Sequence, residues 1–309
     1  MSLFLITGGA GFIGSHLVAT ILERGDEARV LDNFSTGKRE HLKLFNGRAR
    51  VVEGDVRDRA VVEQLMEGVD YVLHLAAVVS VPQSMRDPAL TNEVNVNGTL
   101  NVLAAAHKFN VKRVVFSSSC AVYGDNPQLP LSEQSTTQPL SPYAASKLIG
   151  EIYCQTYYRA YGLPTVCLRY FNIYGPRQDP NGDYAAVIPK FAQRLKAGQA
   201  PLIYGDGHQT RDFVYVGDVV RANLLACERP QAIGQIFNVA SGQRTSLLDL
   251  AALISGLAPQ SLQPQFAPPR EGDILHSRGD GTCAQAQLGF QPMMQLNEGL
   301  KQLYDSINS

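Results

Sequence analysis

Residues 3–25, LFLITGGAGFIGSHLVATILERG, pass from an apolar strand through glycines into an amphipathic helix. Gly8, Gly11 and Gly14 have the spacing of a strand-to-helix turn in which side chains would obstruct. Glycine there permits a tight turn, a close approach of backbone to a pyrophosphate, and close packing of helix on strand. The helix N-terminus then faces the anion. Leu17, Val18, Ile21 and Leu22 recur at helical spacing, and Gly25 stops the helix.

The same alternation continues for 170 residues. Strands are predicted at 28–32, 49–55, 71–76, 113–119 and 165–170, and helices at 58–67, at roughly 88–110 and from Pro142 onward. Such a rhythm requires an α/β fold, a doubly wound parallel (Rossmann) sheet with helices on both faces. Beyond 171 the elements shorten: helix 184–197, strand 201–205, FVYV followed by helix 217–228, strand 236–240, helix 246–255 and a final helix near 295–307. The expectation is a dinucleotide-binding domain over 1–170, with a returning segment at about 212–240. A smaller α/β substrate-binding lobe takes 171–211 and 241–309. Pro and Gly crowd 259–272, which suggests a surface connection.

At 309 residues the chain can bury a substantial core, and 45% apolar with 18% charged residues describe a soluble globular protein. A net charge of −1 without long basic runs argues against nucleic acid and anionic membrane as partners, while leaving room for a local anion pocket. Cys120, Cys154, Cys167, Cys227 and Cys283 form no C-x-x-C pair, so neither a metal site nor a disulfide framework is expected. The reading is reduced thiols in the cytoplasm. The N-terminus lacks a basic region and a cleavage site, and no apolar run approaches membrane-spanning length.

Asp32 ends the second strand 18 residues after Gly14. A carboxylate there can accept both adenosine ribose hydroxyls and would repel a 2′-phosphate, favouring NAD over NADP. Lys38 and Arg39 lie near enough to pull the other way. Asp55 and Val56 follow the third strand, where an adenine would lie, and HLAA (74–77) ends the fourth at the ligand-binding edge. His74 alone reads as a core histidine.

SPYAASK (141–147) opens the later helix, with Ser141 as cap and Pro142 in the first turn. Tyr143 and Lys147 then share one face at i and i+4, a spacing that a mere surface pair would also show. A neighbouring ammonium is expected to lower the phenol from about 10 towards the range of a general base. Ser119, in SSSCAVYG, ends the fifth strand on the same edge.

With these residues in view, the chain resembles the extended short-chain dehydrogenase/reductases, in particular their UDP-galactose 4-epimerase type. The resemblance rests on T-G-x-x-G-x-x-G, LDNFSTGK, NVNGT, SSSxxVYG, SPYAxSK, LRYFNxYGPR, TRDFVYV and REGD, in this order over the whole chain. It implies a UDP-sugar 4-epimerase in which Ser119, Tyr143 and Lys147 are catalytic and C4 hydride passes to a tightly held NAD. The implied NAD contacts are Gly8, Gly11, Phe12, Ile13, Gly14, Asp32, Asn33, Ser35, Gly37, Asp55, Val56, Leu75, Ala76, Ala77, Asn95, Tyr143, Lys147 and Tyr170. For the UDP-sugar they are Ser80, Ser119, Tyr143, Asn172, Val187, Tyr204, Arg211, Arg270, Asp273 and Ser277.

Related 4,6-dehydratases carry Thr-Asp-Glu, and UDP-glucuronate decarboxylases Thr-Ser-Glu, where this chain has Ser119-Cys120-Ala121. Without that carboxylate, epimerisation without elimination is the better reading. Ser277 matches the position of a tyrosine in members restricted to glucose and galactose, so the resemblance implies room for a 2-acetamido group. GPRQDPNGDYAAVIPKF points to the same N-acetylhexosamine branch. One alternative is UDP-glucuronate 4-epimerisation, with Arg177 receiving the carboxylate; another is an NAD-binding regulator on the same fold. Family members pair through two helices per subunit, which implies a homodimer built on helices 88–110 and 142–162.

Overall fold

The computed structural model describes residues 1–309 except 44, 46, 182–185, 260–261, 270–273 and 308–309. The first half contains β1 (Leu3–Thr7), α1 (Phe12–Glu23), β2 (Glu27–Asp32), α2 (Arg39–Lys43), β3 (Arg50–Glu53), α3 (Arg59–Met66) and β4 (Tyr71–His74). There follow α4 (Val81–Arg86), α5 (Pro88–Asn92), α6 (Gly98–Lys108), β5 (Arg113–Ser119), α7 (Pro142–Tyr161) and β6 (Thr165–Tyr170). The second half begins with β7 (Asn172–Tyr174), α8 (Val187–Lys196), β8 (Leu202–Tyr204), β9 (Thr210–Arg211), β10 (Phe213–Tyr215) and α9 (Val216–Glu228). It ends with β11 (Gln235–Val239), β12 (Thr245–Ser246), α10 (Leu247–Ser255), β13 (Gln265–Ala267), α11 (Thr282–Leu288) and α12 (Leu296–Ser306).

A seven-stranded parallel sheet runs β11-β6-β5-β4-β1-β2-β3. The order reverses between β1 and β4, so their connections diverge and leave a crevice at the carboxyl ends, where such sheets bind ligands. Phe4 and Ile6 enter a core shared with α1 and α9, while Leu5 enters the opposite core under α3, α6 and α7. Each such fully buried side chain contributes about 1.5–3 kcal/mol. Two expected strands, 49–55 and 71–76, are shorter, at Arg50–Glu53 and Tyr71–His74, and each gives one last ladder bond to its neighbour. Gly54 N donates to the Asp32 carbonyl, and Leu75 N to that of Thr7.

The helix expected over 88–110 is not uniform. α5 and α6 are joined by one π turn, Glu93–Asn97, which holds Asn95 at 2% exposure. Apolar spacing is much the same for an α and a π turn, so the pattern does not reveal it. α7 starts as predicted: Ser141 Oγ accepts from Ala144 N at 3.2 Å, Pro142 lies in the first turn, and the helix closes at Gly162 with φ +72°.

After β6 the chain leaves the sheet and rejoins it at β11. Apart from α9 and α11, which pack on the sheet, the excursion and the C-terminal segment form a smaller α/β region with its own core, which includes Ile188, Phe191, Ile203, Leu250 and Leu300. Its strands make two-stranded pairs, β7 with β10, β8 with β13 and β9 with β12. Runs of two or three residues show no alternation, so β7, β9, β12 and β13 escape a sequence pattern. α2, α4 and α11 do so as well. No helix among the described residues is long and apolar enough to cross a membrane.

Candidate active site

Gly8 takes φ +71°, and a Cβ on it would lie 2.8 Å from the Ala76 nitrogen; one on Gly14 would lie 2.2 Å from the Gly8 carbonyl oxygen. Both are backbone collisions, so these glycines are steric requirements. α1 begins at an extended Gly11 with no side-chain cap. The first-turn amides of Phe12, Ile13 and Gly14 are thereby offered to an anion at the positive end of the helix.

Asp32, 7% exposed, accepts from the Ala10 and Phe34 amides at 2.8 Å each, and a Cβ on Gly37 would lie 2.7 Å from its carboxylate. Burial pushes this carboxyl up, against the pull of the two amides. Asn33 donates to Asp55 at 2.9 Å and accepts from Ser35 N at 3.0 Å. Hydrogen bonding from Arg57 holds Asp55 at about 2. Lys38 and Arg39 are engaged by Asp179 and Glu53, at 3.1 and 2.5 Å, so neither points to a 2′-phosphate preference. Val56 is buried against Gly98, where a Cβ would lie 2.6 Å from it. Amides for a diphosphate and a carboxylate beside a glycine for ribose hydroxyls make a donor set that fits NAD.

His74 is a core histidine, as its sequence context suggested. Its ring bonds Thr7 Oγ1 at 2.7 Å and Thr99 Oγ1 at 2.9 Å, and burial lowers it to about 3. Thr7 Oγ1 also accepts from the amides of Leu75 and Ala76, at 3.2 Å each, which shapes the loop leading to Ala77. Asn95 clamps Val78 through both its amide atoms, at 2.7 and 3.0 Å, and donates to Ser146 on α7 at 2.9 Å.

Ser119 ends β5, and α7 returns beside it so that its hydroxyl bonds the Tyr143 phenol. Lys147, 4% exposed, donates from Nζ to the Ser117 carbonyl at 2.8 Å and lies 5.1 Å from the Phe116 ring centroid. The Tyr143 ring centroid is 6.0 Å away. The expectation of a lowered phenol is therefore not met in the chain alone. Desolvation dominates: burial raises Tyr143 to about 12, with Ser119 pulling the other way, and burial lowers Lys147 to about 8. The ammonium gives one of its three N–H donors to a backbone carbonyl.

Tyr170 has a bracing task. Its hydroxyl meets Ser117 Oγ at 3.0 Å and donates to Asn223 at 2.9 Å, steadying the strand whose carbonyl holds Lys147. Sequence reasoning also missed Glu151, one turn beyond Lys147. Arg169 donates to both of its oxygens, at 2.8 and 2.7 Å, and Ser118 Oγ donates at 2.5 Å. The i, i+4, i+8 spacing of Tyr143, Lys147 and Glu151 was the available signal.

Of the proposed substrate contacts, Tyr204 lines a cavity of about 570 Å³ together with Gln209, Phe266, Pro269, Ile274 and Leu275. Phe266 stands in a Pro-rich stretch that read as a connection. Asn172 Nδ2 donates to the Asp212 carbonyl at 3.1 Å, and Arg211 Nη1 to that of Thr210 at 3.0 Å. Ser80 Oγ accepts from Gln83 N at 3.2 Å, capping α4, and Val187 opens α8. Ser277, 9% exposed, hydrogen-bonds Cys120, the neighbour of Ser119. Arg270 and Asp273 lie outside the described residues.

Arg177 follows β7 in the chain. At φ +67° it turns the chain back over α1, where His16 Nε2 meets the Pro176 carbonyl at 2.9 Å. Burial lowers His16 to about 4 and lowers His41 as well, and in both the Arg177 charge adds to the effect. The guanidinium thus lies within electrostatic reach of α1 and α2.

Residues 4–240 match the model of the NAD dependent epimerase/dehydratase family. Over 300 residues the chain is 42% identical to a UDP-glucose 4-epimerase of Mycolicibacterium smegmatis, covering 96% of this chain and 95% of that one. The structure of a UDP-N-acetylglucosamine 4-epimerase from Methanobrevibacter ruminantium, in complex with UDP-N-acetylmuramic acid, superposes with TM-score 0.95 at 39% identity, covering 99% and 97% of the two chains. A UDP-glucose 4-epimerase from Thermotoga maritima, with UDP-glucose, superposes with TM-score 0.94 at 40% identity, covering 98% of each.

Proposed function

The chain belongs to the NAD dependent epimerase/dehydratase family and is an NAD-dependent UDP-sugar 4-epimerase, and from that premise we propose that it interconverts UDP-GlcNAc with UDP-GalNAc and also UDP-glucose with UDP-galactose. The observation that carries the N-acetyl reading is the buried Ser277 hydroxyl bonded to Cys120, next to Ser119. A small side chain beside the catalytic serine leaves space that a larger phenol would fill. Unused space is a modest penalty for the plain hexoses, so both pairs are substrates.

Bound NAD supplies the hydride acceptor at C4 and a positively charged ring. Within the chain, Tyr143 accepts the proton of the sugar 4-hydroxyl and later returns it, and Ser119 bridges the two oxygens. Lys147, kept close by the Ser117 carbonyl, favours the phenolate that burial alone would forbid. The 4-keto sugar turns over in the pocket while its diphosphate stays tethered. Arg211 and Arg270 suit a pyrophosphate because a guanidinium donates two parallel hydrogen bonds. Tyr204 and Phe266 form a flat apolar site for uracil.

In this reading the seven-stranded sheet is the NAD-binding domain, and the smaller region binds the UDP-sugar. The second copy of a homodimer covers α6 and α7, where Ile152 is 56% and Tyr161 56% exposed. The cysteines among the described residues are all free, in keeping with a cytoplasmic protein.

The test is incubation with UDP-GlcNAc and with UDP-glucose separately, without added cofactor, following the C4 epimers by NMR. Both should convert, and Ser277→Tyr should lower kcat/KM for UDP-GlcNAc at least about tenfold while sparing UDP-glucose. Absence of N-acetyl turnover in the wild type would sink the substrate reading. Tyr143→Phe should keep NAD and lose about 10²–10⁴-fold in turnover.

A further inference from the structure

Asp212 takes no part in the chemistry above, yet it is fully buried, at 0% exposure. Its Oδ1 accepts from the Ser241 amide at 2.7 Å and the Ser241 hydroxyl at 2.6 Å. Its Oδ2 accepts from the amides of Gly242 and Gly279, at 3.0 Å each. The backbone carbonyl of the same residue accepts from Asn172 twice, from its amide at 3.0 Å and from its side chain at 3.1 Å.

These partners are loop backbone. Ser241 and Gly242 follow β11 at the carboxyl edge of the sheet, Gly279 lies two residues beyond Ser277, and Arg211 precedes Asp212 directly. Loops without a ladder of their own need a side chain to fix their separation. A carboxylate receiving four donors does so with charge-assisted bonds. We infer that Asp212 is a positioning residue for the nucleotide sugar, setting Asn172, Arg211 and the Ser277–Gly279 segment relative to one another. The inference rests on the UDP-sugar reading of this site.

Asparagine makes the sharpest probe because it keeps the shape and replaces one oxygen by a donor. Whichever way the amide turns, at least one backbone N–H then faces an NH₂ group, and a buried bond goes unmade. D212N should raise the dissociation constant of UDP, measured calorimetrically, at least about tenfold, and KM for the UDP-sugars in step. At saturation, kcat should stay within about threefold, and the NAD content of the purified protein should not change, because no NAD contact involves Asp212. Serine 241 offers a milder change: S241A removes one of the four bonds and should raise the UDP dissociation constant about threefold.

A D212N protein that keeps NAD and binds UDP as tightly as wild type overturns the positioning role. Should D212N fail to fold, S241A decides, and unchanged UDP affinity there overturns it equally. Wild-type protein that releases no heat with UDP overturns the UDP-sugar reading itself, and the positioning role with it.

Discussion

The cofactor side and the substrate side of this cleft are built differently. Asp32, His74 and Ser119 end strands of a parallel sheet buried on both faces, so backbone ladders fix where they stand. Tyr204, Arg211 and Ser277 lie on strands of three residues or fewer or on loops, where short backbone pairings are reinforced by side chains. Gln209 donates to the Tyr204 carbonyl at 2.6 Å, and Asp212 ties the Ser277 segment. A frame of long ladders tolerates little change, whereas one of short pairings reinforced by side chains can acquire a new substrate by exchanging a few of them.

The strongest way to test that contrast is Gly14→Ala. Its Cβ would fall 2.2 Å from a carbonyl oxygen and 2.7 Å from the Gly9 Cα, both backbone atoms that no rotamer change can move. The purified variant should carry less than about a tenth of the normal NAD, with activity down at least about 100-fold. Released nucleotide and turnover measure it. Full NAD occupancy would show that the glycine turn yields, and the contrast would fail.

Arg169→Met comes next. It leaves Glu151, 2% exposed, as an unpaired buried carboxylate between α7 and β6. Removing one partner of a buried pair costs about 3–5 kcal/mol. For a chain of this size that lowers Tm by roughly 10 °C. Calorimetry should show the loss together with lower kcat, since α7 carries Tyr143 and Lys147. Retained stability with weaker UDP binding would reverse the assignment of roles.

The titration of Lys147 gives a smaller, directional effect. Burial lowers it from 10.5 to about 8, so between those values the unfolded chain binds more protons. Stability therefore rises with pH across that window. Tyr143, raised from 10.0 to about 12, acts in reverse, stability falling as pH rises between those values. The thiols of Cys120 and Cys227, also raised to about 12 by desolvation, oppose Lys147 in part of its window. Subtracting Lys147→Met isolates the amine. The Tm difference between NAD-free wild type and the variant should move in favour of wild type from pH 8 to 10.5, and a flat difference would mean the amine is solvated.

The two regions were also unequally legible. β5 and β6 were predicted with their observed bounds, because doubly buried strands are continuous β-branched runs. The glycine turn was visible because steric need restricts the residue type. Charge states were not: the Tyr143 phenol follows desolvation, a property of packing that an i+4 spacing does not show. Nor was direction: the φ of +67° at Arg177 is not visible in NIYGP. Asp212 was opaque for a third reason. Its partners lie 29, 30 and 67 residues away, and no spacing rule links them.

The smallest effect tests whether the regions are as separate as this contrast requires. Lys38, in the adenosine loop, meets Asp179, beyond β7, at 3.1 Å, with side chains 43% and 45% exposed. Solvent and salt screen such a pair, which is worth at most about 1 kcal/mol. Asp179→Ala should shift Tm by no more than about 3 °C, less at high salt, and change NAD content and UDP affinity less than about twofold. A larger loss, felt in both ligands at once, would mean that the 176–179 segment couples frame to pocket. Substrate specificity could then not be altered without disturbing NAD. If the loss is small, side-chain changes around Asp212 and Ser277 are free to act on the sugar alone.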